Sequence, residues 1–494
     1  MGVPVVTGAP ERGRRRTVRI PADPDQREDL REGTVSSATE DETTADAGPT
    51  RAADRPEPDY GFPAALWRGI ARIPVPPPLD PRTWRSPLRG PWLTSVLGMV
   101  LLVGMPIVIV TGLLSYLAYA PQFGQGIPGD VGFLRLPLFD WPADPPWLYR
   151  LNQGLHVVGG MVLTPVVLAK LWSVVPKLFA WPPVVSIASL LERLSLLALV
   201  GGVLFQFVTG IMNAQYDYSF GFSFYTAHYW GAWVFIGGFV SHVVIKLPTM
   251  VRSLRAGAPG RWLHDTVDET RPEPPDAHGL VAVAPSPPTM SRRGLLGAVA
   301  GGGVLIGVFS LGTTWDALRP LAVLSPRGQS YGTGPNDFQV NRTAFGAGIP
   351  PSVGDGWMLR LTGGPVAVAL TRADLAAMPQ HTATLPIACV EGWSTTRTWS
   401  GVRLRDLAAR AGVPDPANAF VQSVETSGAF ARATLQANQV AHPDALLALR
   451  VGDEDGEPMA DLSLDHGFPA RVIVPALPGV HNTKWVASID FRVR

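Results

Sequence analysis

Residues 225–247 read YTAHYWGAWVFIGGFVSHVVIKL. Only one formal charge interrupts the stretch, Lys246 near its end, and a run of about 20 apolar residues is what a helix needs to cross a bilayer core. Two histidines stand in it, His228 and His242, 14 residues apart. At 100° per residue they fall about 40° from one another around the helix and about 21 Å apart along its axis. One imidazole therefore lies near each membrane face, on a single stripe. Three similar runs come before it, Thr94–Tyr119, Leu151–Trp172 and Ser189–Met212. A fifth, Gly294–Gly312, follows a Pro-rich, charged linker at 248–290. Five such runs with scarcely an internal charge read as membrane spans rather than as core helices of a soluble protein.

The rest of the composition agrees. The 494 residues are 46% hydrophobic and only 16% charged, against roughly 25% charged in an average soluble domain. The formal charge of +1, without a basic stripe interleaved with aromatics, excludes a nucleic-acid reader. A single cysteine, Cys389, excludes a disulfide framework, a Cys-based zinc site and an iron–sulfur cluster. The preference for Arg over Lys, with many Ala, Gly and Pro, reads as GC-rich bacterial coding. Residues 1–60 are polar, of mixed charge and poor in aromatics, so they are expected to form a disordered cytoplasmic tail rather than a signal peptide. The expected organisation is a tail at 1–90, a four-helix unit at 91–250, a linker at 251–290, a fifth span at 291–313 and a soluble domain at 314–494.

Basic residues set the expected orientation. Arg68, Arg72, Arg82, Arg85 and Arg89 precede the first span; Lys177 and Arg193 lie at the junction of the second and third, with Lys170 at the edge; Lys246, Arg252, Arg255 and Arg261 come at and after the end of the fourth. The opposite loops, 120–150 and 213–224, hold only Arg135 and Arg150. The N-terminus and the linker are thus expected in the cytoplasm. The fifth span would carry 314–494 out of a bacterial cytoplasmic membrane. That span opens with Ser291-Arg292-Arg293-Gly294-Leu295-Leu296, which resembles a twin-arginine export signal, a route for folded, cofactor-loaded domains.

Three histidines fall within spans: His156, His228 and His242. Ionisable residues there are functional candidates. His156 lies about five residues into the second span and His228 about three into the fourth, and both spans enter from outside. The pair shares a depth, and two imidazoles at one depth can clamp a haem iron. Gly154, Gly159, Gly160, Gly231, Gly237 and Gly238 surround them, as a flat macrocycle or simple helix packing would require. The pattern resembles membrane cytochrome b subunits that link periplasmic enzymes to quinone. Members with two haems also place two histidines 14 apart on one helix. Here the first span has no histidine, so the resemblance implies one haem b at His156 and His228 and leaves a second at His242 open.

From about 314 the chain reads as mixed α+β. Expected strands are Trp357–Leu361, Val366–Leu370, Ala419–Glu425, Arg471–Val474 and Trp485–Val493, with a turn at 362–365. Expected helices are 372–378, capped by Thr371, and Leu404–Ala411, closed by Gly412. Cys389 sits in Leu385-Pro386-Ile387-Ala388-Cys389-Val390-Glu391-Gly392-Trp393-Ser394, ahead of Trp399 and Gly401. Alone, such a cysteine is a small buried hydrophobe. Its surroundings resemble the sulfite oxidase-type molybdopterin-binding domain, the cysteine run being most similar to the periplasmic methionine sulfoxide reductase branch. His466–Pro475, Gly479 and Lys484-Trp485 are more similar to sulfite oxidase proper.

The resemblance implies that Cys389, at the end of a strand, supplies a thiolate to molybdenum, a soft ligand for a multivalent metal. It also implies that His466, Arg471 and Lys484, with His481 and Asn482, face the phosphate of molybdopterin. Asn341 and Arg342 lie in the segment that would cover the pterin, and Arg397 is a candidate for attracting an anionic substrate. The full expectation is an all-α four-helix cytochrome b bundle with a fifth anchoring helix, fused to a sulfite oxidase-like α+β domain. Its cofactors would be molybdopterin and haem b. Its partners would be the quinone pool, a sulfoxide- or sulfite-like substrate and the lipid bilayer, and the aromatic stretch Tyr216–Tyr225 would be a docking or quinone surface. The alternative is a non-catalytic sensor or electron shuttle that keeps the pterin fold.

Overall fold

The computed structural model describes residues 80–119, 139–179, 186–215, 219–256, 263–276, 279–324, 332–426, 428 and 431–493. The expected tail at 1–60, Arg68, Arg72, Arg135, Arg261 and residues 216–218 of the aromatic stretch lie outside these. Five long helices occupy the apolar runs: α1 Pro91–Tyr119, α2 Leu148–Leu178, α3 Ile187–Ala214, α4 Phe224–Ala256 and α5 Arg292–Leu311. All five are long and apolar enough to cross a membrane. Their outward side chains agree with that, since Val103, Ile187, Leu197, Val244 and Val304 are more than half exposed, a surface that water would not tolerate over such an area. α1 packs mainly on α2, α3 on α4 and α5 on α2, with α4 closing against α1. Small residues set the closest approaches. A Cβ on Gly238 would meet the Leu199 backbone nitrogen at 2.7 Å, so α4 and α3 touch backbone to backbone there.

The end of the bundle opposite the C-terminal domain is fastened by a buried ion pair. The Glu273 carboxylate accepts the Trp92 and Leu93 amides at 2.8 and 3.3 Å, at the N-terminus of α1. An anion is favoured at that pole of the helix dipole, and Gly90 leaves room, since a Cβ there would lie 2.2 Å from the carboxyl carbon. Arg292 stands 3.9 Å from Glu273 with its side chain fully buried, and donates to the carbonyls of Pro87 and Arg271 at 3.0 and 2.8 Å. Arg293 is exposed. The two arginines of the motif therefore do different things in the folded chain.

The C-terminal domain is α+β. Its strands are β1 Met358–Thr362, β2 Val368–Thr371, β3 His381–Ala388, β4 Ser394–Arg403, β5 Asn418–Ser423, β6 Arg432–Gln436, β7 Leu446–Gly452, β8 Ala460–Asp461, β9 Arg471–Ile473 and β10 Val486–Arg492. Three short helices intervene, α6 Arg372–Ala377, α7 Leu404–Arg410 and α8 Ala437–Ala441. One sheet runs β2-β1-β10-β5-β6; the other runs β3-β4-β7-β8, with β9 also paired to β7. The Thr371 hydroxyl caps α6 through the Asp374 amide, and Gly412 takes φ +79° just after α7, as expected. The turn at 362–365 is equally strict, because a Cβ on Gly363 would fall 1.6 Å from the Phe491 carbonyl oxygen. β3 ends just before Cys389, where the resemblance implied a strand end, whereas β4 was not among the expected strands. β4 is buried along nearly its whole length, so it shows no alternation to read.

One apolar core joins the two parts. Leu117, Ala118 and Tyr119 of α1, Trp141 and Tyr149 are buried in the same cluster as Leu359, Val421 and Ile489 of the first sheet. The Trp141 indole donates to the Ala476 carbonyl at 2.8 Å, and Asn438 and Gln439 donate to the Trp141 carbonyl. If Arg292 fastens the opposite end, Arg292→Lys should cost about 1–3 kcal/mol, because two buried carbonyls lose a charged donor. A thermal melt of the detergent-solubilised chain should show the loss, while Arg293→Lys leaves the melt unchanged.

Candidate functional site

Cys389 follows the last residue of β3, in a tight loop closed by two backbone bonds. Its amide donates to Trp393 O at 2.9 Å, and the Gly392 amide donates to Cys389 O at 3.0 Å. Gly392 has φ +90°, and a Cβ on it would meet Val157 of α2 at 2.6 Å. Only glycine satisfies both the turn and the close approach. The sulfur is buried. The Asn341 amide donates to it at 3.1 Å, and the Glu391 carboxylate, held by the Trp393 indole at 3.2 Å, lies 3.8 Å from it.

The residues expected around a pterin phosphate surround this loop, but they are not equivalent. Arg471 is buried. It donates to the His466 carbonyl at 3.3 Å and leaves Nε without a partner among the described residues. Burial pushes its guanidinium down to about 9, while the Cys389 thiol opposes that shift. Lys484 donates to the carbonyls of Arg342 and, at 2.9 Å, Asp465, and burial pushes its ammonium down to about 7. Asn482 uses Oδ1 on the Val474 amide and leaves Nδ2 unpaired. His481 sets Nε2 against the Tyr119 carbonyl at the end of α1 and leaves Nδ1 unpaired.

His466 differs from the expectation. Its Nε2 donates to the Phe338 carbonyl at 3.0 Å, so Nδ1 accepts from the Ser463 hydroxyl at 2.7 Å. Burial, with Arg471 and Lys484 nearby, pushes it down to about 3. Both nitrogens are engaged, and the ring braces two loops as a neutral imidazole. Arg397 is also buried rather than open to substrate. It donates to the carbonyls of Thr396 and Asp337 and lies over the Phe338 ring. Arg342 pairs with Glu425 at 3.0 Å.

Unpaired buried polar atoms concentrate around this loop. Besides those named, they include Gln339 Nε2 and Oε1, Thr395 Oγ1, Arg397 Nε and Thr483 Oγ1. Buried donors without partners cost about 1–3 kcal/mol each, so such a group is stable only with a polar occupant. A cofactor bearing a phosphate and a heteroaromatic ring fits this donor set, and a buried cysteine fits a soft metal. Trp485, at φ +51°, adds a strained backbone position to the same loop.

The second group of candidates lies beside this loop. The rings of His156 and His228 have centroids 6.2 Å apart, room for two metal–nitrogen bonds of about 2 Å. His156 sets Nδ1 against the Val108 carbonyl at 2.9 Å, and His228 sets Nδ1 against the Thr209 hydroxyl at 3.3 Å. Each Nε2 is left without a partner among the described residues, and a hydrogen bond at the other nitrogen is how ligand imidazoles are held. They face a cleft of about 200 Å³ that is also lined by Gly112, Gly160, Tyr229 and Val390. A Cβ on Gly112 would press to 2.7 Å from the His156 ring. His242 lies elsewhere, in a separate inner cavity.

Three features of the site were not legible in the sequence. Glu391 stood in the quoted motif without an assigned role. Gly112 lies on α1, which carries no histidine, so no local signal ties it to the imidazoles. Gln153 donates to the Val390 carbonyl at 2.5 Å, and nothing in the sequence pairs residues 237 positions apart.

The depressed Lys484 gives a pH dependence. The folded chain releases the Lys484 proton near pH 7 and the unfolded chain near 10.5. Between these values the unfolded state binds more protons, so stability rises with pH. Cofactor-free protein should therefore melt higher at about pH 9 than at about pH 7, and Lys484→Met should flatten that difference.

Comparison with known proteins places the domain. Residues 347–494 match the family model described as the oxidoreductase molybdopterin binding domain. The chain is 30% identical over 166 residues to the mitochondrial sulfite oxidase of Drosophila melanogaster, covering 28% of this chain and 28% of that protein. It is 32% identical over 123 residues to the uncharacterized oxidoreductase YuiH of Bacillus subtilis, covering 25% of this chain and 58% of that one. It is 35% identical over 104 residues to the NAD(P)H nitrate reductase of Hordeum vulgare, covering 20% of this chain and 11% of that one. The chain thus spans well under two thirds of each of these relatives. The C-terminal part of this protein thus matches the oxidoreductase molybdopterin binding domain and is similar in sequence to the sulfite oxidases.

Proposed function

We propose that this chain is a membrane-bound molybdenum-dependent oxidoreductase that couples two-electron oxygen-atom-transfer chemistry outside the membrane to haem b and, through it, to quinone. The observation that carries the reading is the contact between the two sites. Val390 follows Cys389 directly. Its carbonyl accepts from Gln153, one turn before His156 on α2, and Val390 itself lines the cleft of His156 and His228. The cysteine loop thus contributes to the wall of the cleft that the paired imidazoles face.

Bound molybdopterin would supply oxygen-atom transfer with two electrons, and haem one-electron exchange. The protein groups have definable tasks. Cys389 ligates the metal through a thiolate, and the Asn341 amide at 3.1 Å stabilises the charge on sulfur. Arg471 and Lys484 neutralise the cofactor phosphate, aided by the open donors of Asn482 and Thr483. His156 and His228 hold the haem iron through Nε2. Gln153, together with the Thr314 hydroxyl on Gly392 O at 2.9 Å, fixes the cysteine loop against the helices and excludes water from the gap. The substrate class is a small oxyanion or sulfoxide of the kind sulfite oxidase-type domains accept. The basic residues of the spans gather at the end away from the C-terminal domain, which supports an extracytoplasmic position for that domain by the positive-inside rule. The Ser291–Leu296 motif supports export by the twin-arginine route.

Cys389→Ser should abolish molybdenum-dependent turnover and leave the visible haem band in place, because a hydroxyl is a poor ligand for this metal. Wild-type turnover by that variant would overturn the ligand assignment. His156→Ala and His228→Ala should each remove the same low-spin haem signal from the optical spectrum, with molybdenum content by metal analysis unchanged. A full haem band in either variant would overturn the pairing.

A further inference from the structure

The Ser291–Leu296 motif is built into the end of the bundle away from the C-terminal domain. Ser291 is buried, and its hydroxyl accepts from the Gly294 amide at 3.1 Å as the N-cap of α5. Arg292 has no exposed surface, and three stretches of chain close over it: Pro87 ahead of α1, and Arg271 and Glu273 of the linker. Leu295 and Leu296 pack against a cluster that holds Leu88, Trp92 and Leu97 and, from α2, Val166. Of the two arginines only Arg293 faces out. The linker is fastened at a second point, where the Ser286 amide donates to the Arg85 carbonyl at 2.8 Å and Arg85 donates to the Ala284 carbonyl at 3.3 Å. A signal has to be reached to be read, and a guanidinium with no exposed surface is out of reach of a second protein until its cover moves. The cover depends in turn on α5 being in place. α5 packs along α2 so closely that a Cβ on Gly303 would come 3.1 Å from the Val162 carbonyl oxygen, and this packing brings Arg292 to Glu273.

We propose that the Glu273–Arg292 contact is a latch that hides the export signal once α5 has joined the bundle, so that the assembled chain is no longer a ligand for the translocase. The proposal rests on the twin-arginine reading above. Before α5 docks, both arginines are open and the motif is read. After docking, the Glu273 carboxylate and the carbonyls of Pro87 and Arg271 take the place of the receptor around Arg292. Glu273 is seated without help from Arg292, because the Trp92 and Leu93 amides hold it at the N-terminal pole of α1, where an anion is favoured. The bundle therefore offers a preformed acceptor for the first arginine of the motif. The seat can be removed without touching the motif itself. A Cβ on Gly90 would lie 2.2 Å from the Glu273 carboxyl carbon and 2.4 and 2.6 Å from its oxygens, so Gly90→Ala displaces the carboxylate.

The test uses the full chain in detergent micelles, as wild type, Gly90→Ala and Glu273→Ala. Phenylglyoxal, which modifies accessible guanidinium groups, reports the latch when each arginine is followed by peptide mass spectrometry. The purified receptor complex of a twin-arginine translocase reports recognition. In wild type Arg293 should react while Arg292 stays protected, and the receptor should bind weakly. Gly90→Ala and Glu273→Ala should each raise the Arg292 reaction rate and the receptor affinity about tenfold, the change expected from losing roughly one charged hydrogen bond. Adding Arg292→Lys and Arg293→Lys to Gly90→Ala should abolish the binding gained. Wild-type Arg292 reacting as fast as Arg293 would overturn the latch, without recourse to any variant. So would wild type binding the receptor as tightly as Gly90→Ala, with the double-Lys change abolishing both. An Arg292 that opens in Gly90→Ala with no gain in receptor binding would instead overturn the twin-arginine reading, and the proposal with it.

Discussion

The hydrogen bond from Gln153 to the Val390 carbonyl is the contact on which the rest of the arrangement depends. It ties the loop that carries the only cysteine to the helix that carries His156. The loop comes this close because residue 392 is glycine, set against Val157 at a distance no side chain permits. Around that point the polar contacts are dense. The Ser394 amide and hydroxyl meet the carbonyls of Thr313 and Thr314 at 2.7 and 2.9 Å, and Arg150 reaches Thr396 at 3.1 Å. A domain attached only by a linker would drift relative to the helices. Here the shared apolar core and these contacts set one geometry.

The same contacts fix what the helix ends must be. Tyr119 closes α1 and offers its carbonyl to His481 in the C-terminal domain. The short segment before α2 contributes Trp141 and Asp144, the latter 3.2 Å from His442. The end of α5 delivers Thr313 and Thr314 to the cysteine loop. Helix termini leave carbonyls and amides without helical partners, and in this protein the C-terminal domain supplies those partners. At the opposite end Glu273 and Arg292 do the equivalent work for α1. The bundle is therefore closed at both ends by segments outside the spans.

The site in the C-terminal domain is built from unequal parts. Arg471 and Lys484 are buried cations whose charge is disfavoured without an anion beside them, which makes the domain better matched to its occupied state. His466 and Arg397 are consumed by backbone carbonyls and hold loops in place. The resemblance implied that His466, Arg471 and Lys484 face the cofactor phosphate, and Arg397 was a candidate for attracting substrate. Partner geometry separates them.

The sequence by itself determined the five long apolar helices, the end at which basic residues collect, and the resemblance of the C-terminal domain to molybdopterin-binding oxidoreductases. It could do so because continuous apolarity and a contiguous cysteine motif are local signals, readable without knowing what packs on what. The depth argument also put His156 and His228 at one level from residue counting alone. Only the tertiary structure decided the rest. It split Arg292 from Arg293, paired Asn341 with Cys389, and placed β4 as a central strand that buried alternation could not reveal. It also gave His242 a cavity of its own. Each of these depends on residues distant in the chain, whose meeting is set by packing and hydrogen bonding rather than by any pattern a single stretch can carry.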